Sequence, residues 1–441
     1  MPRRKPLPAP RELLVEALSH DGRGIARPDG KTTFIDNALP GETVLCEYRQ
    51  CRGKFDEGRA IAVQQPSAHR VTPLCPHATV CGGCSMQHLH SEQQLLRKQA
   101  MLAEQLTHFA GLAPETWLPP LRGPVAGYRS KARLGVKFVE ARQRVLVGFR
   151  EKRNHFIADI QQCPVLLPEL GEALPLLAEL IGEMDGKRRI PQIEVAAGDD
   201  ALALIFRHLD PLGEADQQRL LAFCQQRQWH LYLQPGGDAS VHRVWPQGAA
   251  ERLHYRHADA DLTLAFHPAD FTQVNAAINR AMVPLALQLL DVQAEHRVLD
   301  LFCGLGNFTL PLARQAAFVV GVEGSQAMVL RGRENAMANG IDNVAFHACD
   351  LSRDVSREAW ARGPYQRVLV DPPRSGALEM MPLLAGLGAE KIVYVSCNPA
   401  TLARDAGELV RHGYRLSSAG VMDMFPHTTH VESIALFERE Q

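Results

Sequence analysis

The sequence has no apolar run of the roughly 18 residues that a membrane helix needs, so no membrane partner is expected. No apolar stretch follows its basic start, Met1-Pro2-Arg3-Arg4-Lys5. It therefore shows no recognisable secretory signal and is expected to be cytoplasmic. Net charge is nearly missing too: −1 over 441 residues, which taken alone argues against a nucleic-acid partner. There is no internal repeat at a solenoid period. Nor is a disulfide framework expected of the ten cysteines, because cytoplasmic thiols stay reduced. Three of them are clustered, and clustering points to metal binding or catalysis.

What is present suits a soluble globular protein of two or three domains, with 46% hydrophobic and 22% charged residues. The charge is unevenly spread. Between Leu121 and His155 ten Lys/Arg face two Glu, a local net of +8. Phosphate contact and a merely solvated face both fit such a run. Within it lies Tyr128-Arg129-Ser130-Lys131-Ala132-Arg133. On a strand, Arg129, Lys131 and Arg133 would share one face about 7 Å apart, a spacing able to follow RNA phosphates.

Along the chain, residues 1–10 are rich in Pro and Arg and are expected to lack order. Short apolar segments then alternate with turn signals. Leu13–Val15, Thr33–Ile35, Glu42–Leu45 and Arg59–Val63 are separated by Asp21-Gly22, Asp29-Gly30 and Pro40-Gly41. That spacing predicts a small OB-like β-barrel. A loop dense in Cys, Pro and Gly spans Pro73–Cys84, and Ser91 reads as the N-cap of a helix over Glu92–Phe109. From Tyr128 to Leu264 β-like segments mix with helices at Glu169–Met184 and Gly213–Gln228.

From His296 the pattern becomes strand–helix alternation. The strand candidates are Arg297–Phe302, Phe318–Glu323, Val344–Cys349, Arg367–Asp371 and Lys391–Ser396, with helices such as Ala327–Asn339 and Thr401–His412 between them. Apolar strands spaced by helices imply a parallel sheet covered on both faces. Arg415–Met422 and Val431–Phe437 have no helix between them and suggest an antiparallel edge.

Asp300-Leu301-Phe302-Cys303-Gly304-Leu305-Gly306-Asn307 follows the first of these strands. Its glycines allow a tight turn and close approach to a ligand beyond the strand ends. Glu323 ends the next strand, where a carboxylate can bind both ribose hydroxyls. Position 309 is Thr, so the third Gly of a dinucleotide fingerprint is missing and a dehydrogenase is disfavoured. Asp350 ends the third strand within reach of an adenine amino group, with Phe302 nearby; ordinary loop chemistry explains both equally.

Asp371-Pro372-Pro373-Arg374-Ser375-Gly376 follows the fourth strand and holds Asp371 in a stiff loop. Ser396-Cys397-Asn398-Pro399 follows the fifth. A lone cysteine is ordinarily a core residue. Here Cys397 stands at a strand's carboxyl end before a helix N-terminus, which lowers a thiol pKa and favours a nucleophile.

Cys75-x5-Cys81-x2-Cys84 supplies three thiolates, and Cys163 in Gln162-Cys163-Pro164 is the candidate fourth. The spacing leaves zinc and an iron–sulfur cluster both open, with three-plus-one nearer the cluster pattern.

Together these motifs resemble the RNA uracil-5-methyltransferase family. The residues that carry the resemblance are Phe266-x-Pro268-x-Asp270-Phe271-x-Gln273-Val274-Asn275, the Gly304–Asn307 loop, Asp371-Pro-Pro-Arg-x-Gly, Ser396-Cys-Asn-Pro and His430-Val-Glu432-Ser. The resemblance covers essentially the whole chain. It implies an S-adenosylmethionine site lined by Gln273, Phe302, Asn307, Glu323, Asp350 and Asp371. It implies Cys397 as nucleophile and Glu432 as base, and in that chemistry Asp371 is the candidate to orient the uracil edge. Taken alone, Glu432 reads as a solvated residue at a strand start. The resemblance also implies a [4Fe-4S] cluster on Cys75, Cys81, Cys84 and Cys163, and a TRAM-type barrel.

Barrel plus cysteines resembles the branch acting on 23S ribosomal RNA at uracil 1939. The alternatives are the same chemistry on tRNA or another rRNA uracil, and a non-catalytic RNA-binding protein with a remnant cofactor fold. No obligatory protein partner is inferred. The expected architecture is α/β: a Rossmann-like class I methyltransferase domain, an N-terminal OB-like β-barrel (TRAM) and a central α+β iron–sulfur domain. The expected boundaries are 10–68 for the barrel, 69–92 with 126–265 for the central domain, and 93–125 with 266–441 for the methyltransferase domain.

Overall fold

The computed structural model describes residues 6–248 and 251–440. Of the N-terminal decapeptide, residues 1–5 lie outside the described residues, and 6–10 carry no regular secondary structure. Six strands follow: β1 (Arg11–Leu14), β2 (Ala17–Leu18), β3 (Gly24–Ala26), β4 (Thr32–Asp36), β5 (Thr43–Cys51) and β6 (Phe55–Gln65). They pair in the order β1-β5-β6-β4-β3-β2, with β4 and β6 parallel and the other neighbours antiparallel. Segment 11–18 pairs with β5 through its first half and with β3 through its second, which curls the sheet into the expected OB-like barrel. Alternating side chains fill it: Leu13, Val15, Ala26, Ile35, Val44 and Cys46.

Helix α1 (Ser91–Ala110) and the two-residue strand β7 (Thr116–Trp117) come next. Ser91 is not the N-cap expected of it. The helix already includes it, and the preceding His90 caps with no side-chain hydrogen bond. The buried stripe Leu95, Leu102 and Leu106 packs onto the C-terminal sheet's core, and Lys98 sits fully buried within the same stripe.

A mixed six-stranded sheet is built from β8 (Lys131–Val139), β9 (Arg144–Gly148), β10 (Gln192–Ala197), β11 (Leu202–Arg207), β12 (His230–Gln234) and β13 (His242–Trp245), in the order β13-β12-β11-β10-β8-β9. Helices α2 (Pro168–Glu172), α3 (Leu174–Gly182) and α4 (Glu214–Arg227) accompany it. Cys81, Cys84 and Cys163 belong to this sheet's hydrophobic core. A hairpin of β14 (Leu253–His257) and β15 (Leu262–Phe266) then leads to α5 (Ala276–Leu290).

The last sheet contains β16 (Arg297–Leu301), β17 (Phe318–Glu323), β18 (Val344–Ala348), β19 (Arg367–Val370), β20 (Lys391–Ser396), β21 (Tyr414–Met422) and β22 (Glu432–Arg439). Its helices are α6 (Thr309–Ala313), α7 (Gln326–Ala338), α8 (Met381–Gly386) and α9 (Pro399–Arg411). The order is β18-β17-β16-β19-β20-β22-β21-β7. The first five strands are parallel, and the order reverses between β16 and β19, the switch point where doubly wound sheets bind ligands. β21 and β22 are antiparallel as expected, but they are not the rim of the sheet. β22, last in the chain, is inserted beside β20, and β7 pairs outside β21. Among the described residues no helix is long and apolar enough to cross a membrane.

Candidate active site and cysteine cavity

The parallel strands end at one edge. Phe302, Glu323, Asp350 and Asp371 stand at the carboxyl ends of β16, β17, β18 and β19. After β16 the chain turns back through Phe302 (φ 63°), Gly304 (φ 56°) and Gly306 (φ 100°); the last conformation is open to glycine and costly for other residues. This turn buries Cys303, Leu305 and Phe308 in the core. Both Glu323 oxygens serve the loops around it: Gly304 N donates at 3.1 Å and Ser325 N at 2.9 Å. Asp350 is exposed, accepting from Ser352 and paired with Arg353. Its carboxyl is held below the usual range by those Ser352 hydrogen bonds.

Asn307 is committed inward. Its Oδ1 accepts from Tyr255 OH at 3.0 Å and Asn279 Nδ2 at 3.0 Å, and lies 3.1 Å from His257 Nε2. Its Nδ2 donates back to Asn279 Oδ1 at 2.9 Å. Gln273, in the segment between β15 and α5, lines a cavity of about 250 Å³ together with Tyr128, Ser130, Tyr255 and Asn279. Tyr255, His257 and Asn279 had no sequence signal. They join the site only because the β14–β15 hairpin and α5 fold against the Gly-rich turn.

The nucleophile candidate is placed by register. Ser396 on β20 pairs with Ser433 on β22. One step further in an antiparallel ladder sets Cys397 opposite Glu432. Glu432 is only 4% exposed, and burial, reinforced by Asp371, pushes its carboxyl up to about 8. Burial pushes Asp371 up to about 7. Asp300 rises to about 8 through burial, with Asp371 and Glu323 adding to it, and its Oδ1 is buried without a partner. None of Asp300, Glu323, Asp371 and Glu432 joins a salt bridge among the described residues. The edge is thus a concentration of uncompensated carboxyls, complementary to a cationic ligand such as a sulfonium.

The expected low thiol pKa at Cys397 is not found. Burial raises it, and Glu432 and Asp371 raise it further, against a smaller opposite pull from Arg374. At the N-terminus of α9, Ala400 N donates to Asn398 Oδ1 at 3.2 Å and not to the thiol.

Helix α9 clamps the Asp371-Pro-Pro loop. Asn398 Nδ2 donates to Arg374 O at 3.0 Å and Arg404 Nη2 to Ser375 O at 2.9 Å. The buried Asp405 accepts from Ala377 N at 2.7 Å and Tyr394 OH at 2.6 Å. Gly376 (φ 79°) permits this approach, since a Cβ there would stand 2.6 Å from Asp405.

The segment before Glu432 is held just as firmly. Lys98 Nζ pairs with Asp423 Oδ1 at 2.7 Å and donates to Phe425 O at 2.9 Å. Tyr128 OH donates to Pro426 O at 3.1 Å, and His427 N donates to Gln94 Oε1 at 2.8 Å. His427 (φ 66°) turns its carbonyl toward the cysteine loop, where Ser85 N and Met86 N both donate to it at 2.9 Å.

Cys75, Cys81, Cys84 and Cys163 line one cavity of about 20 Å³, walled by Phe149 and Ile160. Burial, with the neighbouring thiols adding to it, pushes Cys81 up to about 11 and Cys84 up to about 12. Among the described residues no three His, Cys, Asp or Glu side chains are grouped to hold a single metal ion. The four thiols nevertheless line one common space.

The three cations expected on one open face are not so arranged. Arg129 precedes β8, bridges to Leu166 and Asn275, and reaches the cysteine cavity. Lys131 Nζ turns inward to the carbonyls of Pro268 and Asp270, and burial lowers it to about 8. Arg133 is exposed but paired with Glu194 at 2.8 Å.

The fold is the Rossmann-like fold of S-adenosylmethionine-dependent methyltransferases. Over 97% of this chain and all of the other, it matches the solved structure of Pyrococcus abyssi tRNA (uracil-54, C5)-methyltransferase in complex with S-adenosyl-L-homocysteine, at a TM-score of 0.73 and 24% identity. A profile described as tRNA (Uracil-5-)-methyltransferase matches residues 90–440, and a TRAM domain profile matches 10–61. The chain belongs to the tRNA (uracil-5-)-methyltransferase family. Among its relatives, the 23S rRNA (uracil(1939)-C(5))-methyltransferase RlmD of Alcanivorax borkumensis is 65% identical over 99% of this chain and 98% of its own. The protein of the same name from Alkalilimnicola ehrlichii is 55% identical over 99% of both.

Proposed function

We propose that the protein transfers a methyl group from S-adenosylmethionine to carbon 5 of a uracil in 23S ribosomal RNA, the uracil-1939 type of its relatives, through a covalent adduct on Cys397. The observation that carries this reading is the juxtaposition of Cys397 with Glu432 and Asp371 at one sheet edge. Carbon 5 of uracil is too weak a nucleophile to take a methyl group unaided. Addition of the Cys397 thiolate to carbon 6 makes carbon 5 enolate-like. With its thiol pKa raised, Cys397 needs a neighbouring base, and Asp371 and Glu432 both titrate near neutrality. After methyl transfer, Glu432 takes the carbon-5 proton and the Sγ–C6 bond breaks. Asp371, held by the Pro-Pro loop, orients the uracil edge.

S-adenosylmethionine supplies the methyl group. Phe302, Glu323, Asp350 and Asp371 line its site from the strand ends, with Gln273 from the flank and Asn307 holding the turn in shape. The catalytic assignment is Cys397, Glu432 and Asp371. Cys75, Cys81, Cys84 and Cys163 hold a [4Fe-4S] cluster. What supports this is that all four thiols line one cavity and that their three-plus-one spacing is nearer the cluster pattern than the paired spacing of zinc sites. We divide the chain into a barrel (10–68), a central iron–sulfur domain (69–92, 126–265) and the methyltransferase domain (93–125, 266–441), in a cytoplasmic enzyme.

The test is a trap. Target RNA containing 5-fluorouracil should hold the wild-type enzyme in a denaturation-resistant adduct, because fluorine cannot leave as a proton does. Cys397→Ala should abolish both adduct and methylation. An adduct that persists in that variant would sink the assignment.

A further inference from the structure

The +8 segment is only partly explained by the site, since two of the three cations singled out within it turn inward or are bridged. Its remaining charge gathers elsewhere. The outward face of β8 and β9 carries a groove of about 830 Å³ lined by Arg133, Lys137, Arg142, Arg150, His155 and Phe156, over a floor of Leu146 and Ile157. Four cationic side chains face two carboxylates there, Glu151 and Asp159. Arg133 and Arg142 are paired to Glu194 and Asp159. Lys137 and Arg150 are exposed and join no ion pair among the described residues.

Phe156 stands at the rim, 58% exposed, with the His155 ring 4.3 Å from its own between centroids. An exposed aromatic on a mobile loop would mean little. This one is held. Arg150 bridges Ile157, and Glu151 N donates to Phe156 O at 2.8 Å, so residues 150–157 form a tight hairpin. Gly82 N donates to Arg150 O and Lys152 N to Val80 O, both at 2.8 Å, which fastens the hairpin to the cysteine loop. At its tip Arg153 pairs with Asp21, Asp36 and Glu57 of the barrel. A rigid aromatic face beside unpaired cations is the chemistry that binds single-stranded nucleic acid: bases stack on the ring and phosphates meet the charges.

We propose that this groove binds a single-stranded segment of the RNA substrate, with a base stacked on Phe156 and phosphates against Lys137 and Arg150. The proposal rests on the RNA-methylating function proposed above. It adds a second hold on the RNA, in a groove that shares Phe149 with the cysteine cavity. A neighbouring groove of about 450 Å³ shares Phe149, Arg150 and Glu151 and reaches Asp21, Asp36 and Asn37 of the barrel.

The experiment uses the full chain and a 23S rRNA fragment containing the target uracil. Binding is measured across a salt series, and methyl transfer by the wild type is measured in parallel. Phe156→Ala should weaken binding about tenfold, with Phe156→Trp restoring most of the loss. Lys137→Ala with Arg150→Ala should lower the salt slope by about 1.4, at about 0.7 per lost single-strand phosphate contact. Retained S-adenosylmethionine binding shows that each variant is folded. Unchanged affinity and slope in the variants, beside a wild type that methylates the fragment, would overturn the groove. A wild type that binds the fragment but transfers no methyl group would instead count against the proposed function.

Discussion

The catalytic edge and the cysteine cavity both bury thiols, and burial pushes every one of those thiols up. They differ in what stands around the sulfur. Cys397 faces two carboxyls that titrate near neutrality and keeps an opening to solvent. Cys75, Cys81, Cys84 and Cys163 face mainly one another and apolar walls. A thiol beside carboxyls can be deprotonated on demand and reprotonated after release. Four thiols beside each other stay neutral unless positive charge enters to hold their anions. On the proposed reading, the same burial suits a reversible nucleophile in one place and a ligand set in the other.

The comparison breaks most sharply at Glu432. If this carboxyl is the base for the carbon-5 proton, Glu432→Gln should still form the adduct and transfer methyl but stall before release. A methylated protein–RNA complex should then accumulate on ordinary RNA in a denaturing gel, with turnover reduced by at least about a hundredfold. Ordinary turnover would move the base elsewhere. At the other end, protein purified without oxygen should be brown and carry about four irons with sulfide. Cys84→Ala should lose most of that iron and speed amide exchange in the 150–157 hairpin, while S-adenosylmethionine still binds. Stoichiometric zinc without sulfide would refute the cluster.

The smallest effect sharpens the electrostatics. Asp300, Asp371 and Glu432 have folded pKa values above their ordinary ones, so the folded state holds protons that the unfolded chain has lost. Stability without cofactor should therefore fall as pH rises from about 4 to about 8 and level off beyond. Each group contributes at most about 1.4 kcal/mol per pH unit. Glu432→Gln should flatten the fall in a denaturant titration repeated across that range. An unchanged pH dependence would show that Glu432 ionises normally in the free enzyme.

Much of this was legible because apolar runs and turn residues mark strand ends, and the candidate catalytic motifs sit at strand ends. β17 and β20 matched their expected spans residue for residue. What was not legible depends on pairing. Cys397 faces Glu432 only through the register of a strand that inserts from the chain's end, and no local pattern encodes that insertion. Strands β2, β3 and β7 are two or three residues long, too short for any periodicity. Lys131 read as a free cation because its partners are backbone carbonyls, which every residue carries and no sequence advertises. Lys98 escaped notice for the opposite reason: a charge within an apolar stripe looks like a flaw until Asp423 arrives from 325 residues away.

That long reach has a consequence for folding during synthesis. The cysteine loop is seated by the His427 carbonyl, and Gln94, just beyond the loop, is 333 residues from His427. At about 5–20 residues per second, translation leaves the loop without its seat for tens of seconds. During that interval Cys75, Cys81 and Cys84 have been made, and the carbonyl that accepts from Ser85 and Met86 has not. Any ligand taken up by this loop before the C-terminus emerges would meet a loop not yet seated; one taken up afterwards would find it already in place.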